Sequence, residues 1–209
     1  MIQYSTILKE ADAVQEIEKS KFITHVKPVE TRAEADEFIA GIKKKYKDAT
    51  HNVPAMVIGD KFQIQWASDD GEPQGTSGAP IVQMLVKEGI TNVAVVVTRY
   101  FGGIKLGTGG LVRAYTSSAK LGIIAGEICD VNEMIISNYK IEYSYLSKLQ
   151  NLAGEGLFQI GNIEYEDVIK IEIIADPEKN TQVQESVSNL TKGLAVLENQ
   201  RSQLVKVKK

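Results

Sequence analysis

The chain has 209 residues, 43% hydrophobic and 24% charged, which suits a soluble globular protein of one large or two modest domains. A formal net charge of −3 excludes nonspecific coating of nucleic acid, which needs a broad positive surface, while leaving room for a local basic patch. Cys129 stands alone and so excludes an internal disulfide; no apolar run approaches the ~18 residues of a membrane span, and Met1–Glu10 lacks a signal-peptide pattern, so a cytoplasmic protein is expected.

Tyr4 to Lys9 and Ala13 to Glu18 read as two strands joined near Glu10-Ala11-Asp12, and Ser20 to Pro28 as a third, giving an antiparallel start. Thr31, with Glu34 three residues on, predicts a capped helix whose Ala35, Phe38, Ile39 and Ile42 share a face. Lys43-Lys44-Lys45 at its end complement the helix dipole. Asn52 to Ile58 and Phe62 to Ala67 read as a hairpin around Gly59-Asp60-Lys61. A helix from Ser77 or Gly78 to Gly89 follows, with Pro80 in its first turn. Val93-Ala94-Val95-Val96-Val97, at the heart of Ile90 to Val97, predicts a strand buried on both faces. A helix then runs from about Gly107 to Ile124, and Gly122 to Asp130 marks a boundary. Beyond it the pattern is βαββαβ: a strand at Ile135 to Tyr143, a helix at Leu146 to Ala153, strands at Phe158 to Tyr165 and Val168 to Ile174, a helix at Glu178 to Leu190 and a strand at Leu194 to Val205. The fold class is α+β, with a first domain over 1–130 and a ferredoxin-like second domain over 131–209.

Two Gly-rich segments flank the valine run, and loops of this kind on a strand and helix scaffold are where binding concentrates. In the second, Gly102, Gly103, Gly107, Gly109 and Gly110 lead into a helix. Bare N–H groups there would make an anion site, to which Lys105 and Arg113 add charge. The same glycines would equally permit tight packing of helix on sheet, and the spacing matches neither the P-loop nor the dinucleotide fingerprint. Arg99, Tyr100 and Phe101 end the valine run and offer a cation and two rings for stacking, or at least one ring for the core. The first segment gathers Asp69, Asp70, Gly71 and Glu72, whose carboxylates suit Mg²⁺ or acid–base work but are also ordinary turn chemistry. His51 is the nearby base, but it lies far from His25 in sequence and Cys129 stands alone, which does not make a metal set. No hydrolytic triad, catalytic residue, metal or cofactor is indicated.

Ser20-Lys21-Phe22-Ile23, Ala49-Thr50-His51-Asn52, the run Ser68 to Pro80, Val97 to Gly107 and Gly109 to Tyr115 together resemble the signature of the IMPACT family, bacterial YigZ type. The likeness covers about residues 1–130 and departs only at Ser77 and Ala79. It implies a first domain with the left-handed βαβ fold of a small-subunit ribosomal protein's second domain, shared with elongation factor G domain IV. The second domain is similar to domain V of that factor. Eukaryotic relatives regulate translation initiation by binding the activator of an amino-acid-starvation kinase, a partner that does not carry over to bacteria.

The leading expectation is therefore a non-enzymatic binding protein in translation regulation, contacting ribosome, RNA or a translation-associated protein. Arg99, Tyr100, Phe101, Gly102, Gly103, Lys105, Gly107, Gly109, Gly110 and Arg113 would form the binding face, with His51, Asp69, Asp70, Gly71 and Glu72 as its second loop. The alternatives are a small-molecule enzyme holding an anionic or phosphorylated substrate at the Gly107 helix start, and a protein-interaction scaffold. Oligomeric state is not legible.

Overall fold

The Val93–Val97 run lies in the middle strand of a five-stranded sheet, with every residue from Val93 to Arg99 buried. The computed structural model describes residues 2–208. The described residues divide into two compact units, Gln3–Val131 with residues 206–208, and Asn132–Val205 with Ile2.

The first unit takes its elements in the order β1 (Ile2–Ile7), β2 (Ala11–Ile17), β3 (Ser20–Pro28), α1 (Arg32–Lys45), β4 (His51–Ile58), β5 (Ile64–Ala67), α2 (Gly78–Lys87), β6 (Val93–Tyr100) and α3 (Gly107–Ala125). Its sheet runs β2-β3-β6-β4-β5, with each neighbouring pair antiparallel. One face of β4 and β6, through Met56, Ile58, Ala94 and Val96, packs on Ala35, Phe38 and Ile39 of α1. The other, through Val53, Ala55, Val57, Val93, Val95 and Val97, packs on α2 and α3. Helices on both sides explain why β6 reads as continuously apolar although its neighbours are antiparallel.

β1 and β2 are consecutive strands but belong to different sheets. β1 pairs with β7 (Ile128–Ile141), whereas β2 pairs with β3. Within the first unit this places Ser5 Oγ 2.6 Å from Asp130, to which it donates. The expected boundary at Gly122 to Asp130 is more regular than its glycines suggest, since α3 continues to Ala125 and β7 begins at Ile128.

Thr31 caps α1, its hydroxyl accepting the Glu34 N–H at 3.2 Å. The reciprocal half of a capping box is displaced by one residue, because Glu34 accepts from the Glu30 N–H at 2.8 Å. At the far end of α1, Lys43 reaches out of the helix to Asp70 at 2.6 Å rather than only complementing the dipole.

The second unit continues β7 through α4 (Tyr143–Gly154), β8 (Gln159–Tyr165), β9 (Ile169–Ala175), a single 3-10 turn at Pro177–Lys179, α5 (Asn180–Leu190) and β10 (Val196–Lys208). Its strands lie in the order β10-β7-β9-β8, a βαββαβ succession like that read from the sequence. Ile169, Ile171 and Ile173 alternate inward against Leu149, Val183 and Val187 of the two helices.

Candidate functional site

Strand register builds the floor of the site. Arg99 on β6 stands directly between Phe22 on β3 and His51 on β4, so the three side chains share one face of the sheet. The guanidinium lies 5.4 Å from the ring centroids of both Phe22 and Phe101. Glu72, from the loop after β5, meets it there: Arg99 Nη1 donates to Glu72 Oε1 at 2.6 Å, and the Tyr115 hydroxyl donates to the same oxygen at 2.7 Å. Tyr115 comes from the inner face of α3 and sets its ring edge-on to Phe22 at 5.4 Å. Arg99 is 5% exposed and Glu72 8%, so this is a buried ion pair with a phenol attached.

The structure therefore corrects the reading of Arg99 as a surface cation. Its charge is neutralised by Glu72 and its Nη2 donates to Ser20 Oγ at 3.3 Å. The rings of Phe22 and Phe101 and the sheet interior enclose the rest of the guanidinium.

His51 completes the floor. Its Nδ1 lies 2.8 Å from the Asp70 carbonyl oxygen, which can only accept, so Nδ1 carries the proton. In the neutral ring Nε2 then presents its lone pair. It faces Glu72 Oε2 at 3.8 Å, too far for a direct hydrogen bond. Glu72 Oε2 accepts no hydrogen bond among the described residues.

Above this floor opens a cleft of about 440 Å³, walled by Thr50, Pro73, Phe101, Lys105, Leu106, Gly107, Thr108 and Leu111. Volumes near this value are typical of small-molecule sites, ~300–1,000 Å³. Phe101 is 46% exposed, one of the larger apolar exposures in the first unit. Leu106, at the N-cap of α3, makes no side-chain cap, so the first-turn N–H groups beside Gly107 lack the usual partner. Lys105 is exposed and forms no ion pair among the described residues.

Of the residues singled out from sequence, His51, Glu72, Arg99, Phe101, Lys105 and Gly107 line the cleft, and the others do not. Asp69 is a structural cap. Its carboxylate accepts from Gly75 N, Ser77 N, Gly78 N and Ser77 Oγ at 2.7–3.2 Å, fixing the loop onto the start of α2. Partial burial disfavours its charge, but those donors outweigh burial and hold the carboxyl below its ordinary value. Asp70 accepts from Asn52 N and pairs with Lys43, both at 2.6 Å, so neither aspartate is an acid or base of this site. Gly71 adopts a left-handed φ of +87° beneath the His51 ring. Tyr100 turns its hydroxyl to Asp48 at 3.2 Å. Gly102 and Gly103 shape the chain before the cleft, and Gly109 and Gly110 lie within the first turn of α3. Arg113 lies outside it, in a neighbouring depression with Ile17, Glu18 and Ile104 that Lys105 also borders.

Sequence reasoning missed Tyr115 as a site residue. Its signal was its place four residues after Leu111 on an apolar helix face, where a buried phenol needs an acceptor. Burial, then the hydrogen bond and charge of Glu72, push the Tyr115 hydroxyl far above its ordinary value of 10. Because the folded value is raised, its contribution to stability is complete below pH 10 and falls as pH rises above it. The loss is about 1.4 kcal/mol per pH unit from this group. Tyr115→Phe is expected to flatten that alkaline slope in urea unfolding between pH 9.5 and 11, and to cost about 1–2 kcal/mol at pH 7. An unchanged slope would contradict the burial of the phenol and its Glu72 contact.

Residues 18–123 match the model of the Impact N-terminal domain, which spans half of the chain. The chain belongs to the IMPACT family. It is similar to the IMPACT family member YvyE of Bacillus subtilis, 40% identical over 190 residues that cover 91% of this chain and 88% of that one. The IMPACT family member YigZ of Escherichia coli K12 is 31% identical over 184 residues, 86% of this chain and 89% of YigZ. The match to Protein IMPACT of Rattus norvegicus, 35% over 94 residues, covers 43% of this chain and 29% of the rat protein. A crystal structure of a hypothetical protein is 28% identical, with a TM-score of 0.59 over 100% of this chain and 99% of that one. In this IMPACT-family chain every residue lining the cleft, from Thr50 to Leu111, falls inside the matched segment. Among the described residues no cluster of His, Cys, Asp and Glu forms a metal site, and no helix is long and apolar enough to cross a membrane.

Proposed function

We propose that this IMPACT-family protein is a non-enzymatic binding protein of translation, engaging RNA on the ribosome through the cleft at the start of α3. The observation that carries this reading is the exposed Phe101 ring, backed by the buried Arg99, beside the exposed Lys105 and a helix start without a side-chain cap. A stacking ring beside a cation and bare N–H groups is the chemistry that receives a base and its phosphate. Resemblance to a ribosomal-protein fold and to eukaryotic regulators of initiation supports the setting, a cytoplasmic one.

The second unit supports a division of labour. The depression on its sheet is lined by Asn138, Asn162, Glu164, Lys170, Glu172, Glu198, Asn199 and Arg201. Its two cations are already paired, Arg201 with Glu172 of the same depression and Lys170 with Glu166 outside it, leaving little for phosphate. A second reading, a small-molecule enzyme with His51 as base, is favoured by the Nδ1 tautomer lock and the Nε2 lone pair facing the cleft. It lacks the aspartates that sequence offered as its acids.

Cosedimentation of the full chain with ribosomes from its own cells, over a salt series and after RNase treatment, tests the proposal. Association that weakens with salt and concentrates on one subunit is expected, since phosphate contacts release counterions. Absence from ribosomal and RNA fractions at low salt would overturn it.

A further inference from the structure

The guest of the cleft can be narrowed by summing what its walls leave unmet. Glu72 and Arg99 cancel, so Lys105 gives the site an excess of one positive charge and calls for an anion at the α3 start. Glu72 Oε2 is the second unmet group. Its side chain is 4% exposed, it has no donor of its own, and His51 Nε2 stands 3.8 Å across the cleft floor. A neutral hydroxyl placed between them has one proton to give, and either Oε2 or the Nε2 lone pair can accept it. The third unmet group is the outer face of the Phe101 ring, whose inner face the guanidinium already covers.

Resting on the reading of this cleft as the functional site, we propose that it takes a nucleoside monophosphate unit, either free or as the terminal nucleotide of an RNA strand. The phosphate meets Lys105 and the first N–H groups of α3, a ribose hydroxyl donates to Glu72 Oε2 beside His51 Nε2, and the base stacks on Phe101. Inorganic phosphate uses only the first contact, and ribose 5-phosphate only the first two, so affinity rises through that series.

Isothermal titration and thermal shift of the full chain with the four ribonucleoside 5′-monophosphates, ribose 5-phosphate, inorganic phosphate, and a short RNA with and without a 5′-phosphate test this. At least one monophosphate is expected to bind saturably, about tenfold or more tighter than ribose 5-phosphate. Lys105→Ala and Phe101→Ala should each weaken it by about tenfold, with Lys120→Ala, a charge lost elsewhere on α3, as the unaffected control. A phosphorylated RNA that binds tighter than the monophosphate identifies the RNA end as source; equal or weaker binding identifies the free nucleotide. Equal affinity for inorganic phosphate and the nucleotides, or no saturable binding to any nucleotide or RNA, overturns the inference. Ribosome cosedimentation of the same preparation separates the two claims: if it persists while nucleotide binding fails, the translation reading stands and only the ligand assignment falls.

Discussion

Replacing Glu72 with Gln is expected to destabilise the first unit by about 3–5 kcal/mol, although the new side chain has the same shape. The carboxylate neutralises a guanidinium that is sealed by Phe22, Phe101 and the sheet, and removing its charge leaves that cation buried and uncompensated. The Tyr115 hydroxyl loses a charged acceptor in the same step. Urea unfolding of wild type and variant at pH 7 reads the difference. The pair itself is not expected to be a large net source of stability, because both ions surrender their hydration. A double variant, Glu72→Gln with Arg99→Met, should therefore recover most of the loss. A single-variant cost below about 1 kcal/mol, the value for a solvated pair, would contradict the buried description.

Gly102→Ala should be comparably severe, for a steric reason. A Cβ at this position would stand 1.9 Å from the Lys19 carbonyl oxygen and 2.5 Å from the Ser20 nitrogen. Both are backbone atoms at the β2–β3 turn, where Glu18 and Lys19 already hold φ of 46° and 63°, so neither yields easily. Gly102 N also donates to Ser20 Oγ at 3.2 Å, and the same hydroxyl accepts from Arg99. Pushing the segments apart would open the floor of the cleft. A loss of about 3 kcal/mol or more in chemical unfolding, or failure to accumulate as folded protein, is expected. Gly109→Ala, where a Cβ would meet only the end of the Arg113 side chain at an ordinary 3.9 Å, should instead be neutral or slightly stabilising. Equal effects at the two positions would show that the close approach at Gly102 is wrong.

That contrast explains how far the sequence could be read. Local periodicity and capping signals placed α1, α2 and α3 and the buried central strand within a few residues, because those features depend on neighbours in the chain. The assignment of β1 to a different sheet from β2 was not legible, since partner choice depends on residues more than a hundred positions away. The same limit governs the site. Arg99 reads as a free cation until Glu72, 27 positions earlier, is seen to fold back on it, and Glu72 reads as turn chemistry until Arg99 is beside it. Asp69 is the reverse case. Its local turn reading was sound, because its acceptors and donors lie within nine residues. His51 and Glu72 became one site only through the register of β4 with β6.

On the proposed reading, the cleft at the start of α3, rather than any other surface, makes the functional contact. Ribosome cosedimentation of a Phe101→Ala/Lys105→Ala double variant, measured beside wild type and Lys120→Ala across one salt series, tests it most directly. The cleft variant is expected to dissociate at salt concentrations where the other two remain bound, with its salt slope reduced by about one. Coincident curves for all three proteins, with the double variant still folded, would contradict it.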